Sequence, residues 1–175
     1  MRLLSREDIL EALALLSREL AQDSAVEIVV GGGAALVLLY NAREATKDVD
    51  AFVVNSSDPP AVRSAARRVA DSLGLPQDWL NEGAKGYLHG FSPGEVLFDQ
   101  APLIVRSIAP QQLLAMKLSA WRDDVDIADA RLLLSKLVGD RREVWNLVEP
   151  HVIPGRELKA RYAFEDLWNL DRGHS

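Results

Sequence analysis

Apolar residues recur along the chain in two patterns, one with helical spacing and one in short β-branched runs. Residues 6–22 have the helical pattern and predict an amphipathic helix, whose apolar side is formed by Ile9, Leu10, Leu13, Leu16 and Leu20. Ser5 is placed to cap this helix, with Asp8 three residues further on, close to a capping box. Residues 26–30 are a β-branched run and predict a strand.

The rest of the chain continues this alternation and then becomes helical. The pattern predicts a short buried helix over 34–40, a strand over 48–54, a helix over 61–73 closed by Gly74, a strand over 103–108, and helical stretches over about 110–121, 124–137, 140–149 and 155–170. Residues 79–100, rich in glycine, predict irregular loops. The order indicates an α/β (α+β) fold, a small mixed sheet flanked by helices. We expect this core over residues 1–109, with a helical extension over 110–175 packed on it as a single compact unit.

Composition and charge narrow the class of protein. Hydrophobic residues make up 48% and charged residues 26% of the 175, which is ordinary for a globular domain. The chain has no cysteine, no apolar run long enough for a membrane span and no signal-peptide pattern, so a cytoplasmic protein without a membrane partner is expected. The formal net charge of −6 disfavours broad, sequence-independent binding of duplex nucleic acid.

Asp48 and Asp50 form the pair of residues with the clearest chemistry. Side chains two apart on a strand point to the same face, about 6.5–7 Å apart at the backbone. Two carboxylates on one face repel each other unless a cation lies between them. Mg²⁺ suits such oxygens, since it binds one or two carboxylates and completes its shell with water and substrate phosphates. The pair therefore predicts a site for Mg²⁺ or Mn²⁺.

Three consecutive glycines, Gly31, Gly32 and Gly33, end the first strand just before a helix. Glycine lets a phosphate approach the backbone, and the helix start offers free N–H groups. Taken alone, a tight strand–helix turn explains these glycines better. The glycines form neither a G-x-G-x-x-G fingerprint nor a Walker A loop. With the acid pair, they predict a site for a nucleoside triphosphate and its metal ion.

The glycine turn, the short helix and Thr46-Lys47-Asp48-Val49-Asp50 together resemble the signature of the nucleotidyltransferase superfamily, the DNA polymerase beta-like fold. The resemblance is strongest over residues 26–54. It implies an enzyme that transfers a nucleotidyl group from an NTP, with the metal held by the acid pair and the nucleotide by Gly31, Gly32, Gly33, Thr46 and Lys47. The acceptor stays open between tRNA, a protein hydroxyl and a small alcohol.

A later segment, about residues 103–134, resembles the abortive-infection and toxin–antitoxin branch of that superfamily more loosely. The order Lys117, Arg122, Asp126, Asp129 matches a pattern in that branch. The resemblance implies a catalytic phosphate contact for Lys117 and a catalytic or structural role for Asp126 and Asp129. A snorkelling lysine and an Arg122–Asp126 pair on one helix are the alternatives.

Many members of the superfamily also carry a third carboxylate on a later strand. The predicted strand over 103–108 carries Arg106 and no acid. Either Asp126 or Asp129 substitutes, or a full two-metal site is absent. The alternative function is therefore a catalytically inactive protein of the same fold that binds a partner protein, such as a cognate toxin or antitoxin.

Overall fold

The computed structural model describes residues 2–122 and 124–171. Over these residues the chain forms seven strands: β1 Leu4–Ser5, β2 Val26–Val30, β3 Ala45–Thr46, β4 Val49–Asn55, β5 Leu80–Asn81, β6 Pro93–Gln100 and β7 Leu103–Ile108. It also forms seven α-helices: α1 Arg6–Glu19, α2 Gly32–Tyr40, α3 Pro59–Leu73, α4 Pro110–Ala120, α5 Asp124–Ser135, α6 Arg141–Val148 and α7 Glu157–Asp171. The predicted mixed α/β class is confirmed.

The described chain divides into two units. The first unit contains the residues up to 84 together with 93–108, and so holds all seven strands with α1, α2 and α3. The second unit contains 85–92 and the chain from 109 onward, and so holds α4 to α7. The segment 85–92 is tied into the second unit by the buried Gln112, whose amide nitrogen donates to the carbonyls of His89 and Gly90. The packing of a helical extension on the core stays a prediction.

The first unit is built around a mixed sheet of five strands in the order β5-β4-β2-β7-β6. β2 lies in the centre, antiparallel to β4 and parallel to β7, while β5 runs parallel to β4 along its other edge. The register pairs Val30 at the end of β2 with Ala51 near the start of β4. The end of β2 and the start of β4 therefore lie at the same end of the sheet, so the glycine turn and the acid pair become neighbours.

Most helix and strand positions agree with the sequence pattern, because their signals are local. Ser5 caps α1 by accepting from the backbone of Asp8, and the Asp8 carboxylate accepts from the Ser5 backbone, which completes a capping box. Gly74 closes α3 with φ +64°, a left-handed conformation that suits glycine. α2 is buried from Ala34 to Leu38, consistent with its apolar sequence.

The prediction of irregular loops over residues 79–100 is wrong in part. This region contains β5 and the eight-residue strand β6, which pairs antiparallel with β7. β6 is the last strand of the sheet, so its side chains are mostly half-buried or exposed and the apolar alternation that marks a strand is weak. β5 is only two residues long and forms because β4 offers it a parallel partner.

The second unit packs its helices around a core that includes tilted contacts among Trp145, Phe164 and Trp168. The ring centroids of Trp145 and Phe164 lie 5.1 Å apart, and those of Phe164 and Trp168 lie 5.8 Å apart, both in the favoured range for aromatic pairs. In the part of the chain that the structure describes, no helix combines the length and the apolar character needed to span a bilayer.

Candidate functional site

The acid pair lies at the start of β4. Asp50 is the second residue of the strand and Asp48 lies just before the first. Val49 between them is fully buried, while both acids are half-buried, as the alternation of a strand predicts. Both carboxylates receive hydrogen bonds from one short segment. The Asn81 amide nitrogen donates to Oδ2 of Asp48 at 3.0 Å, and the Ala84 backbone N–H donates to Oδ1 of Asp50 at 3.0 Å.

The glycine turn lies directly against Asp50. The backbone N–H of Gly31 donates to the Asp50 carbonyl at 2.9 Å, which fixes the turn to the start of β4. Gly32 has φ +57°, and a Cβ added there would run into the Asp50 carboxylate. Glycine is required at this position twice, once by the left-handed backbone and once by the close approach of the acid. The predicted proximity of turn and acid pair is present in the structure.

The start of α2 is suited to an anion. The N-cap residue is Gly31, which has no side chain to cap the helix, and the first turn of the helix carries no acidic residue. The leading N–H groups of a helix lack intrahelical partners and carry the positive end of the dipole. A triphosphate oxygen bound here would lie close to the Asp50 carboxylate, so a cation would be needed to offset the two negative charges.

The side chains of Thr46 and Arg43 lie next to Gly33 at the start of α2. A Cβ added at Gly33 would lie 2.8 Å from Oγ1 of Thr46 and 3.2 Å from Nη1 of Arg43. Thr46 is buried and its hydroxyl donates to the Asp48 carbonyl at 3.2 Å, so it links the turn to the acid pair. Lys47 is exposed beside Asp48. Arg43 was missed in the sequence because it lies in a polar connection and is brought to Gly33 only by the fold.

The residues at this site fit a hard divalent cation. Among the described residues, Oδ1 of Asp48 accepts no hydrogen bond, so one oxygen of this carboxylate is available to a metal ion. In the described part of the chain, no group of three or more His, Cys, Asp or Glu side chains is arranged to hold a metal. A cation here would have Asp48 and Asp50 as protein ligands and would need water and phosphate oxygens to complete its shell.

The strand that lies beside the acid pair is β5. β7, the strand on which the resemblance implies a third acid, pairs with β2 and not with β4. Its Arg106 forms an ion pair with Glu27, with 2.9 Å between Nε and Oε1. β5 places Asn81 in register with Asp50. The strand next to the pair therefore carries an amide in the place where a third carboxylate would complete a set of three.

Lys117, Asp126 and Asp129 come together in the second unit, as an ion-pair cluster between α4 and α5. The Lys117 ammonium lies 2.9 Å from Oδ1 of Asp126 and 2.7 Å from Oδ2 of Asp129, and both carboxylates are buried. Arg122 adds its backbone N–H and its guanidinium to Oδ2 of Asp126, each at 3.0 Å. Two of the three ammonium hydrogens of Lys117 are therefore directed to protein acids.

The electrostatics of Asp126 follow from these contacts. Burial alone raises the pKa of a carboxyl, but the hydrogen bonds from Arg122 and Lys117 and the Lys117 charge outweigh it and hold the pKa of Asp126 at about 2. Asp126 is therefore ionised at neutral pH and is a weak base. Asp126 forms ion pairs with Lys117 and with Arg122 in the second unit. This pairing offers a structural explanation for the order Lys117, Arg122, Asp126 in the sequence.

Comparison of the chain with protein-family models, with curated proteins and with solved structures finds no significant match. The chemistry of the site therefore rests on its own residues. They bring together two carboxylates, a helix start whose N-cap residue has no side chain, and an arginine. This combination suits a phosphorylated ligand bound with a divalent cation.

Proposed function

We propose that the protein is a cytoplasmic nucleotidyltransferase that uses Mg²⁺ or Mn²⁺ at Asp48 and Asp50 to transfer a nucleotidyl group from an NTP to a hydroxyl. The observation that carries the proposal is the direct contact of Gly32 with the Asp50 carboxylate. A glycine turn suited to an anion therefore lies beside a carboxylate suited to a cation, which supports the binding of a metal–triphosphate complex. The resemblance of residues 26–54 to the nucleotidyltransferase superfamily supports the same assignment.

The reaction would be a displacement at the α-phosphorus. The acceptor hydroxyl oxygen forms a new P–O bond, the bond from the α-phosphorus to the α,β-bridging oxygen breaks, and pyrophosphate leaves with the electron pair. The bound cation would supply charge neutralisation for the phosphate oxygens. The Gly31–Gly33 backbone, with Arg43 and Thr46 beside it, would hold the triphosphate, and Asp48 and Asp50 would fix the cation against it.

We propose that the hydroxyl proton passes to water rather than to Asp126. Asp126 is too acidic to be an effective base near neutral pH, with its pKa of about 2. We infer a structural role for the Lys117, Asp126 and Asp129 cluster in joining α4 to α5. The phosphate contact that the resemblance implies for Lys117 stays a prediction.

Nucleotide binding offers the most direct test. Calorimetry should show Mg²⁺–NTP binding tighter than the binding of either component alone, because each ligand supplies oxygens or charge that the other needs. Asp50→Asn should weaken Mg²⁺–NTP binding at least tenfold. The matched control is Asp99→Asn, which removes an exposed acid on β6 of the same unit. Unchanged binding in Asp50→Asn would contradict the proposed site.

Transfer itself is tested with labelled NTPs, Mg²⁺ or Mn²⁺, total RNA and a cell lysate. Label entering RNA, a protein or a small-molecule fraction identifies the acceptor class among tRNA, a protein hydroxyl and a small alcohol. Loss of labelling in Asp50→Asn, with retention in Asp99→Asn, would assign the activity to this site rather than to a contaminating enzyme.

A second candidate is a catalytically inactive protein of this fold that binds a partner, such as the toxin or antitoxin of a pair. Asn81 in place of an acid beside Asp50 favours it, as does the charge of the first unit, which has fifteen acidic and nine basic side chains. A basic partner would be attracted to such a surface. Absence of transfer together with retained nucleotide binding would favour this candidate.

A further inference from the structure

Asn81 connects three parts of the candidate site. Its amide nitrogen donates to Oδ2 of Asp48 at 3.0 Å and to the carbonyl of Asp78 at 3.1 Å. Its amide oxygen accepts from the backbone N–H of Gly83 at 2.6 Å. Asn81 therefore uses both ends of its side chain, one to hold an acid and one to hold the turn that follows.

The position of Asn81 is fixed by the strand that carries it. β5 pairs in parallel with the start of β4, with Asn81 opposite Asp50. Trp79, just before β5, is fully buried; its indole N–H donates to the Ala66 carbonyl at 2.9 Å, and its own carbonyl accepts from Val49 at 2.7 Å. This anchoring gives the Asn81 amide a defined place relative to both acids.

The turn after Asn81 completes the arrangement around Asp50. Ala84 donates its backbone N–H to Oδ1 of Asp50, one residue after the Gly83 N–H that Asn81 holds. A Cβ added at Gly83 would lie 2.7 Å from the Asn81 amide oxygen and 3.2 Å from Oδ1 of Asp50. The two acids are thus oriented by one segment, with Asn81 acting directly on Asp48 and through its turn on Asp50.

An amide and a carboxylate at this position have opposite effects on the pair. The amide donates a hydrogen bond to Asp48 and adds no charge. An ionised carboxylate could donate no hydrogen bond to Asp48. It would also repel both acids unless a further cation neutralised it. Two negative charges match one divalent cation, whereas three would favour a second.

We propose that Asn81 is a positioning residue that orients Asp48 toward a single divalent cation and restricts the acid pair to that one cation. The inference rests on the proposed function and specifies the number of metal ions at its site. Asn81 directs Oδ2 of Asp48 toward the protein and leaves Oδ1 for the cation.

The experiment is a Mn²⁺ titration followed by electron paramagnetic resonance, in the presence of a non-hydrolysable NTP analogue and corrected for Mn²⁺ bound by nucleotide alone. The full-length wild-type chain should bind one Mn²⁺. Asn81→Ala should weaken this binding at least tenfold, because Asp48 loses its orienting donor. Asn81→Asp should bind a second Mn²⁺, with the line broadening of two nearby ions. Asn55→Ala, at the exposed far end of β4, is the matched control and should bind as the wild type does.

The outcomes separate the inference from the proposed function. Wild-type binding of two Mn²⁺ ions, or one ion with unchanged affinity in both Asn81 variants, would overturn the inference. If Asp48→Asn and Asp50→Asn also leave Mn²⁺ binding unchanged, the proposed metal site itself fails. A purely structural role for Asn81 predicts equal loss of folding in both variants, visible by circular dichroism, and no second Mn²⁺ in Asn81→Asp.

Discussion

Gly32 shows how a single residue joins backbone geometry to site chemistry. Its φ of +57° belongs to the left-handed region, where a side chain costs about 1–2 kcal/mol. Gly74 has nearly the same backbone, with φ +64°, but nothing lies within 4 Å of the position of its missing Cβ among the described residues. The two glycines therefore share the conformational requirement, and of the two Gly32 is the one that has the Asp50 carboxylate against it.

This pair of glycines gives a controlled test of the site. We expect Gly74→Ala to lower the free energy of unfolding by about 1 kcal/mol and to leave Mn²⁺–NTP binding unchanged. Gly32→Ala should lower it by a similar amount and should also weaken Mn²⁺–NTP binding at least tenfold, because the new methyl group displaces the Asp50 carboxylate. Urea unfolding and calorimetry measure the two effects. Equal binding in both variants would show that Asp50 is not held against the turn in solution.

Arg43 is the second residue whose role depends on its neighbours. Its guanidinium lies near Gly33 and Thr46 at the start of α2, where a triphosphate oxygen is proposed to bind. We expect Arg43→Ala to weaken NTP binding by about tenfold, since a hydrogen bond to a charged group contributes about 1.5–3 kcal/mol. Arg63→Ala, on the exposed face of α3, is the control and should bind normally. Binding of NTP to Arg43→Ala with wild-type affinity would remove the arginine from the site.

At the scale of elements, the sequence predicts those whose signals are local. Ser5 and Asp8 mark the start of α1, Gly74 marks the end of α3, and the β-branched run over 26–30 marks β2. β5 and β6 could not be predicted in this way, since two residues carry no periodicity and an edge strand lacks a clear apolar alternation. Their existence depends on the partners that the rest of the sheet provides.

The residues of the candidate site also fall into those marked by local sequence signals and those brought together by the fold. Asp48, Asp50 and the glycines could be predicted because they lie close together in sequence and on signals of known period. Asn81 and Arg43 could not, because each is brought to the site by tertiary contacts. β7 has no acid, and it is not a neighbour of the strand that carries Asp50. The neighbours of β4 are β2 and β5, and sequence order does not give this strand order.

The link between α4 and α5 depends on Lys117. Its ammonium is shared by two buried carboxylates, whose side chains are 2% and 5% exposed. Lys117→Met keeps the apolar stem but leaves those acids without their shared cation, and breaking a buried pair in this way typically costs about 3–5 kcal/mol. We expect a loss of that order in urea unfolding at pH 7. Lys136→Met, which changes an exposed lysine just after α5, is the control and should lose less stability than Lys117→Met does.

At the scale of the whole molecule, the acidic charge is unevenly distributed. The first unit has fifteen acidic and nine basic side chains, whereas the rest of the chain has eleven of each, so the first unit carries the whole net charge of −6. A long polyanion such as RNA would be repelled by this unit except where a cation or Arg43 offsets the charge. This distribution disfavours extended binding of a nucleic-acid backbone along the first unit.

Several carboxyls make the stability of the molecule sensitive to acid. Hydrogen bonds from the Ser5 backbone and hydroxyl lower the pKa of Asp8, and backbone hydrogen bonds lower the pKa of Glu157. Asp126 has the largest of these shifts, with a pKa of about 2 in the folded chain against about 3.9 for an unfolded aspartate. Since each group binds its proton more readily when unfolded, its contribution to stability is lost as pH falls.

Asp126 should dominate this dependence between about pH 4 and pH 2. In that window the unfolded chain carries the proton and the folded chain does not, so the free energy of unfolding rises with pH by up to about 1.4 kcal/mol per unit from this one group. Asp126→Asn should therefore be less stable than the wild type at pH 7, and the difference should shrink toward pH 2 as the wild type loses the charge it pairs with Lys117 and Arg122. Asp124→Asn, which changes an exposed acid in the first turn of the same helix, is the control and should lose less stability at pH 7 than Asp126→Asn does. Urea unfolding followed by circular dichroism across this range measures both variants. A difference for Asp126→Asn that stays constant with pH would show that the ion-pair cluster does not hold Asp126 ionised in the folded protein.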